Sequence, residues 1–222
     1  DPYVLTAALT IDTRERLDGF IAALREVIAR HDILRTAVLW DHLREPVQVV
    51  LREAVLPIEE LALSPDDGAI AAQLAARVDP RRYRLDVREA PMMRLHIARD
   101  DVQDQWQVQW VFHHLMMDHT ALEQVRHEIM AILGGHREAL PAPLPFRNLV
   151  AQARLGVSQA EHEAYFRERL GDLDEPTLPY GLADVQGDGN GIAEVRHALA
   201  PVLGEQLRAQ ARRLGVSVAS LF

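Results

Sequence analysis

Residues Val111 to Val125 read VFHHLMMDHTALEQV, and within them His113, His114, Asp118 and His119 gather three imidazoles and a carboxylate. Hydrophobic segments flank this group, where a plain core element would carry no such side chains. Three chemistries fit. Imidazole and carboxylate bind zinc or iron. His114 and Asp118 are spaced i, i+4, but they straddle a strand-to-helix junction and the HExxH spacing is absent. The same groups can satisfy backbone donors and acceptors at a turn, and Asp118 sits where an N-cap acid stabilises a following helix. An imidazole on a short loop after a strand is also a good general base, with a neighbouring aspartate to orient it. The spacing leaves open which of His113 and His114 faces a cavity.

Composition narrows the field. The chain has 222 residues, 48% hydrophobic and 26% charged, a globular balance able to bury a core without staples. A net charge of -9 leaves no basic footprint to neutralise phosphates, so nucleic acid is not an expected partner. Without cysteine there is no thiol nucleophile, disulfide or Cys-based zinc site. No apolar run is long enough for a membrane-spanning helix, and no signal peptide opens the chain. The chain starts Asp1-Pro2-Tyr3 without an initiating Met and stops in RRLGVSVASLF, the opening turn of a helix. It is therefore expected to be a piece of something longer.

The elements that must hold the polar group emerge from periodicity. YVLTAALTID (3–12) reads as a strand. Asp12 and Glu15 are an expected capping box, and the helix behind them places Leu17, Phe20, Ile21, Leu24, Val27 and Ile28 on one face. Residues 34–40 and 46–51 read as partner strands. Ser64-Pro65-Asp66-Asp67 opens a helix to about Val78, with an N-cap serine, a first-turn proline and first-turn acids. Residues 92–99 and 105–112 read as an antiparallel pair, the second strand delivering His113 and His114 into the connection beyond. A helix from about Asp118 to Leu133 ends at Gly134-Gly135. After the linker LPAPLPF, Ser158 and Glu161 form a capping box for a helix to about Leu170. Residues 171–191, rich in Gly, Pro and Asp, read as a boundary loop. Beyond it lie a strand (192–199), a helix (201–214) and the start of another. Strands alternating with helices around one hairpin predict an α/β fold with a mixed sheet.

HHLMMDH (113–119) resembles the HHxxxDG motif of condensation domains from nonribosomal peptide synthetases, shared with the wider chloramphenicol-acetyltransferase-like acyltransferases. RHDILRTAV (30–38) resembles the RHxxLRT segment of the same domains, and YRLDVREAPMMRLHI (83–97) is similar to a third stretch of theirs. The three occur in family order, and the resemblance runs over nearly the whole chain.

The resemblance implies a chloramphenicol-acetyltransferase-like lobe, a mixed sheet flanked by helices, from a two-lobed pseudo-dimer with its reaction tunnel between the lobes. Residues 1–170 would be the N-terminal lobe, 171–191 the inter-lobe linker and 192–222 the truncated start of the C-terminal lobe. The implied activity is amide bond formation between a carrier-bound acyl or peptidyl thioester and a carrier-bound aminoacyl acceptor. Substrates ride on the phosphopantetheine of upstream and downstream peptidyl carrier domains, beside an adenylation domain, in the cytoplasm. No directly bound cofactor and no metal are implied. His114 takes the position of the motif's reacting-centre histidine. His113, Asp118 and Arg35 take structural positions, with an Arg35–Asp118 ion pair expected. His119 replaces the motif glycine and would strain the turn, narrow the tunnel or add a titrating group. Two alternatives stand beside this: an acyl-CoA-dependent acyltransferase or lipo-initiating starter domain, and a carrier-docking lobe that makes no bond.

Overall fold

The computed structural model describes residues 1, 3–183, 193, 195 and 197–221. The elements are β1 (Val4–Ile11), α1 (Arg14–Arg30), β2 (Thr36–Leu39), β3 (Val47–Val50), β4 (Ile58–Leu61), α2 (Ile70–Arg77), β5 (Met93–Asp100), β6 (Gln105–His113), α3 (His119–Leu133), α4 (Arg147–Leu155), α5 (Gln159–Leu170) and α6 (Pro201–Leu214). The chain forms two units, Asp1–Asp188 and Gly189–Phe222.

The first unit is built on a four-stranded sheet in the order β1-β6-β5-β4. β6 pairs antiparallel with β1 (Val4 opposite His113) and with β5 (Met93 opposite Phe112), while β4 runs parallel to β5. The sheet is therefore mixed. Successive side chains on a strand point to opposite faces. One face carries Leu5, Ala7 and Leu9 of β1, Val108, Trp110 and Phe112 of β6, and Met93, Leu95 and Ile97 of β5. α1 and α3 pack onto that face with Leu17, Leu24, Val27, Ile28, Val125 and Ile129. The other face is closed in part by α2, where Ile70 and Leu74 meet Ala98. There Val78 and Leu85 meet Val4 and Val111. Because both faces are covered, the central strands β5 and β6 are buried almost throughout. Tyr83 ties the 79–87 connection to the sheet, its hydroxyl 3.1 Å from His96 Nε2.

Several local expectations change. The cap of α1 is Thr13, whose side chain accepts from the Arg16 amide. Asp12 instead pairs with the Arg16 guanidinium at 2.6 Å. The helix opened by Ser64 is a single 3-10 turn, Pro65–Asp67, with the expected serine cap. Gly68 at φ 111 then leaves helical space, and α2 starts afresh at Ile70. The strand placed at 34–40 begins with a 3-10 turn (Asp32–Arg35), and β2 forms a separate two-stranded sheet with β3. β4 and α4 are additions that periodicity did not supply. The Ser158–Glu161 capping box is present in both directions. In the second unit Pro201 opens α6 and Gly215, at φ 67, closes it. Of the strand expected over 192–199, residues 193, 195 and 197–199 are described and do not form a strand; the others lie outside the described residues.

Candidate active site

The polar group sits where β6 gives way to α3. His113 is the last residue of β6 and is buried. Its amide donates to the Met92 carbonyl at 3.0 Å, and its carbonyl accepts from Met116 at 3.2 Å. The ring is held too: Nδ1 accepts from the Leu115 amide at 3.1 Å. An accepting Nδ1 fixes the neutral tautomer with its proton on Nε2. Burial pushes the His113 pKa down, and the neighbouring charge of His114 adds to this. His113 is thus a neutral brace inside the turn.

His114 is the first residue past the strand. Its amide donates to the Tyr3 carbonyl at 2.8 Å, which pins its backbone to the start of β1. Its side chain is exposed and has no hydrogen-bond or ion-pair partner among the described residues. Met116 and Met117 then plunge into the core, 3% and 2% exposed, and hold the loop down. Asp118 is the N-cap of α3, its carboxylate accepting from the Ala121 amide at 2.7 Å. His119 is the first helical residue and is exposed. It does not adopt positive φ, so the strain expected from losing a glycine is not present.

The expected Arg35–Asp118 ion pair is not formed. Arg35 Nη1 donates to the carbonyls of Leu51 and, at 3.3 Å, Arg52, at the end of the β2–β3 hairpin. Asp118 is occupied by its capping bond. Arg35 sits at the close of a 3-10 turn, and that turn aims its guanidinium along the hairpin.

The carboxylate that does bind this segment is Glu128 of α3, 2% exposed. Arg30 Nε donates to it at 3.0 Å, His31 Nε2 lies 2.9 Å away, and Gln124 Nε2 donates at 3.3 Å. Burial pushes its carboxyl up. The hydrogen bonds from His31, Arg30 and Gln124 together outweigh this and hold it below the usual carboxylate range. Asp32, next in the chain, accepts from the Phe146 amide with both oxygens at 3.0 Å. The sequence signal for Glu128 was available: a glutamate one residue before Ile129, on the core-facing side of an amphipathic helix.

Among the described residues no three His, Asp or Glu side chains come together as metal ligands. A shallow groove runs along α5, lined by Gln159, His162, Phe166 and Leu170 among others; it includes none of these site residues. No described helix is long and apolar enough to cross a membrane.

A family model described as "Condensation domain" matches residues 1–222. The chain is 51% identical over 221 residues to malpinin synthetase and 49% identical over 221 residues to malpibaldin synthetase, both from Mortierella alpina. Each match covers 100% of this chain but only 3% and 4% of those proteins, so the chain spans a small part of the relatives it matches. Among solved structures, the SgcC5 protein from Streptomyces globisporus superposes with a TM-score of 0.66 at 19% identity, over 97% of this chain and 50% of that one. The condensation domain of the monacolin K polyketide synthase MokA gives 0.67 at 16% identity, over 97% and 51%. These structures share the fold.

Proposed function

The chain belongs to the condensation-domain family, and on that premise we propose that it supplies His114 to a site forming an amide bond between two carrier-bound substrates. The donor is an acyl or peptidyl thioester on the phosphopantetheine of an upstream carrier domain. The acceptor is an aminoacyl group on a downstream carrier, loaded by an adjacent adenylation domain in the cytoplasm. On this reading residues 1–170 are the N-terminal lobe, 171–191 a linker and 192–222 the start of the second lobe.

The acceptor nitrogen attacks the thioester carbonyl carbon. A C–N bond forms, the C–S bond breaks, and the thiolate leaves and takes up a proton. Thioester aminolysis is downhill, so the site has mainly to hold the two arms in line, an orientation effect worth roughly 7–11 kcal/mol. His114 receives the amine's hydrogen bond and takes its proton as the bond forms.

One observation carries the choice of His114 over its neighbour. The His113 ring is locked by the Leu115 amide and buried, whereas the His114 ring is exposed and unengaged. In the complete parent synthetase with both carriers loaded, His114→Ala should lower condensation by about 10²–10⁴-fold and leave thermal unfolding unchanged. A folded variant that keeps wild-type turnover, with amine attack rate-limiting, would remove His114 from the reacting centre.

A further inference from the structure

Glu128 lies on the face of α3 that otherwise gives Val125 and Ile129 to the core. It is a costly place for a carboxylate, and replacing such a buried charged cluster as a whole by apolar residues of similar volume is often neutral or stabilising. What the charged cluster adds over apolar packing is direction. Arg30 is the last residue of α1, and His31 is the first beyond it. Both bond Glu128, at 3.0 and 2.9 Å, and Arg30 reaches on through Nη2 to the Pro141 carbonyl at 2.9 Å. The end of α1 and the turn after it therefore meet on Glu128, and the strap after α3 joins them through Arg30. Contacts such as Val125 on the α1 face tolerate sliding and rotation; short hydrogen bonds to a charged acceptor do not.

The loop between His114 and Asp118 hangs from two supports. At one end the sheet holds it, through His113 to Met92 and His114 to Tyr3. At the other end the bond from Ala121 to Asp118 lies within α3 itself, so it moves whenever the helix moves. Met116 and Met117 set the depth of the loop, as apolar contacts do, without fixing its direction. The setting of α3 about and along its axis thus decides where the loop's second support stands. Glu128 lies ten residues beyond Asp118, about 15 Å along a rigid helix.

We propose that Glu128 is a positioning residue for His114: by clamping α3 to Arg30 and His31 it fixes the loop that presents the imidazole. The clamp stands on its own geometry; its consequence for rate rests on the condensation reading above. It also gives Arg30 and His31 of the RHDILRT segment a task, holding the reaction loop from a distance.

The test uses the full-length parent synthetase as wild type, Glu128→Gln, Glu128→Leu and His114→Ala. Two quantities are read: deuterium uptake of peptides covering 113–122, and single-turnover condensation between loaded carriers. Uptake over 113–122 should speed up in both Glu128 variants and not in His114→Ala. Condensation should fall by about 10²-fold, the scale expected for a misplacement on the order of 1 Å. The acceptor KM should stay within about twofold, since binding is not what is lost. Adenylation and carrier loading should be unchanged. Unaltered uptake over 113–122, with loosening confined to 30–36 and 141–146, would overturn the proposal, as would a full rate despite faster uptake. If wild type makes no product yet uptake rises in the variants, the condensation reading fails and the clamp stands. Should Glu128→Leu not accumulate in folded form, Glu128→Gln, of the same shape, carries both measurements.

Discussion

Asp118 and Arg35 each do work that their neighbours define, and the work differs from a shared ion pair. Asp118 accepts one amide hydrogen bond at the start of α3 while exposed to solvent. Losing such a cap costs about 1 kcal/mol, whereas breaking a buried ion pair costs about 3–5 kcal/mol. Asp118→Ala should therefore lower unfolding free energy by about 1 kcal/mol, and Asp118→Asn or Asp118→Ser should restore most of it, because both cap well. Denaturant unfolding of the three variants decides this. A loss of several kcal/mol that serine does not restore would point back to an ionic partner. The same locality governs the paired histidines. Alternation along β6 turns His113 inward beside Val111, and the chain leaves the strand before His114 can be turned to either face. His119 falls inside the first turn of α3, so its helical φ suits any residue and glycine's freedom is not needed there.

The long elements were legible because each has a strong period or a marked end. α1 shows its apolar face from Leu17 to Ile28, α3 ends at Gly134, and β5 with β6 alternates around a polar turn. The elements that escaped are short or depend on partners. β4 is four residues, Ile58–Leu61, with two glutamates, and it is a strand because β5 offers its edge. The 3-10 turn at 65–67 has every helix-start signal and fails at Gly68. Arg30 and His31 could be seen as a motif, but their partner Glu128 is 98 and 97 residues away, and only packing of α1 against α3 brings them together. That cluster makes a pH prediction. Glu128 is held below the usual carboxylate range in the folded chain, so the unfolded chain binds its proton more readily. Its contribution is complete above the usual carboxylate range and is lost as pH falls through the lowered folded value. Glu128→Ala should cost about 3 kcal/mol at neutral pH, the low end for a buried pair because Arg30 and His31 are partly exposed. Glu128→Gln should flatten the acid limb of the unfolding curve measured from about pH 7 to about pH 3. An unchanged acid limb would show that other carboxylates set it.

The covered sheet contrasts with the two later helices of the same unit. α4 and α5 bury none of their residues. Leu149, Leu155, Tyr165, Phe166 and Leu170 are each at least half exposed on them, and Leu144 and Leu173 are exposed on either side. So much exposed apolar surface leaves these helices little packing of their own to hold them. A twelve-residue helix such as α5 is marginal in water without tertiary packing, even with its capping box. The two solved chains that share this fold are each about twice as long as the part matched, since the match covers 50% and 51% of them. We therefore expect the 222-residue chain to form the β1-β6-β5-β4 sheet with α1 and α3, but to hold α4 and α5 loosely. Amide exchange should be slow in β5 and β6 and fast across 147–170. Condensation should be lost for a related reason. On the proposed reading the two thioester arms are held in line by a tunnel shared with a second lobe, so the isolated chain, with His114 exposed, should forfeit the orientation advantage of roughly 7–11 kcal/mol. Incubating the purified chain with loaded donor and acceptor carriers, and following product by mass spectrometry beside the full-length parent, tests both expectations on one preparation. Protected β5 and β6 with no product is the expected result. Product at a rate near the parent's would mean that residues 1–222 hold both arms unaided, and a shared tunnel would no longer be needed to explain the activity.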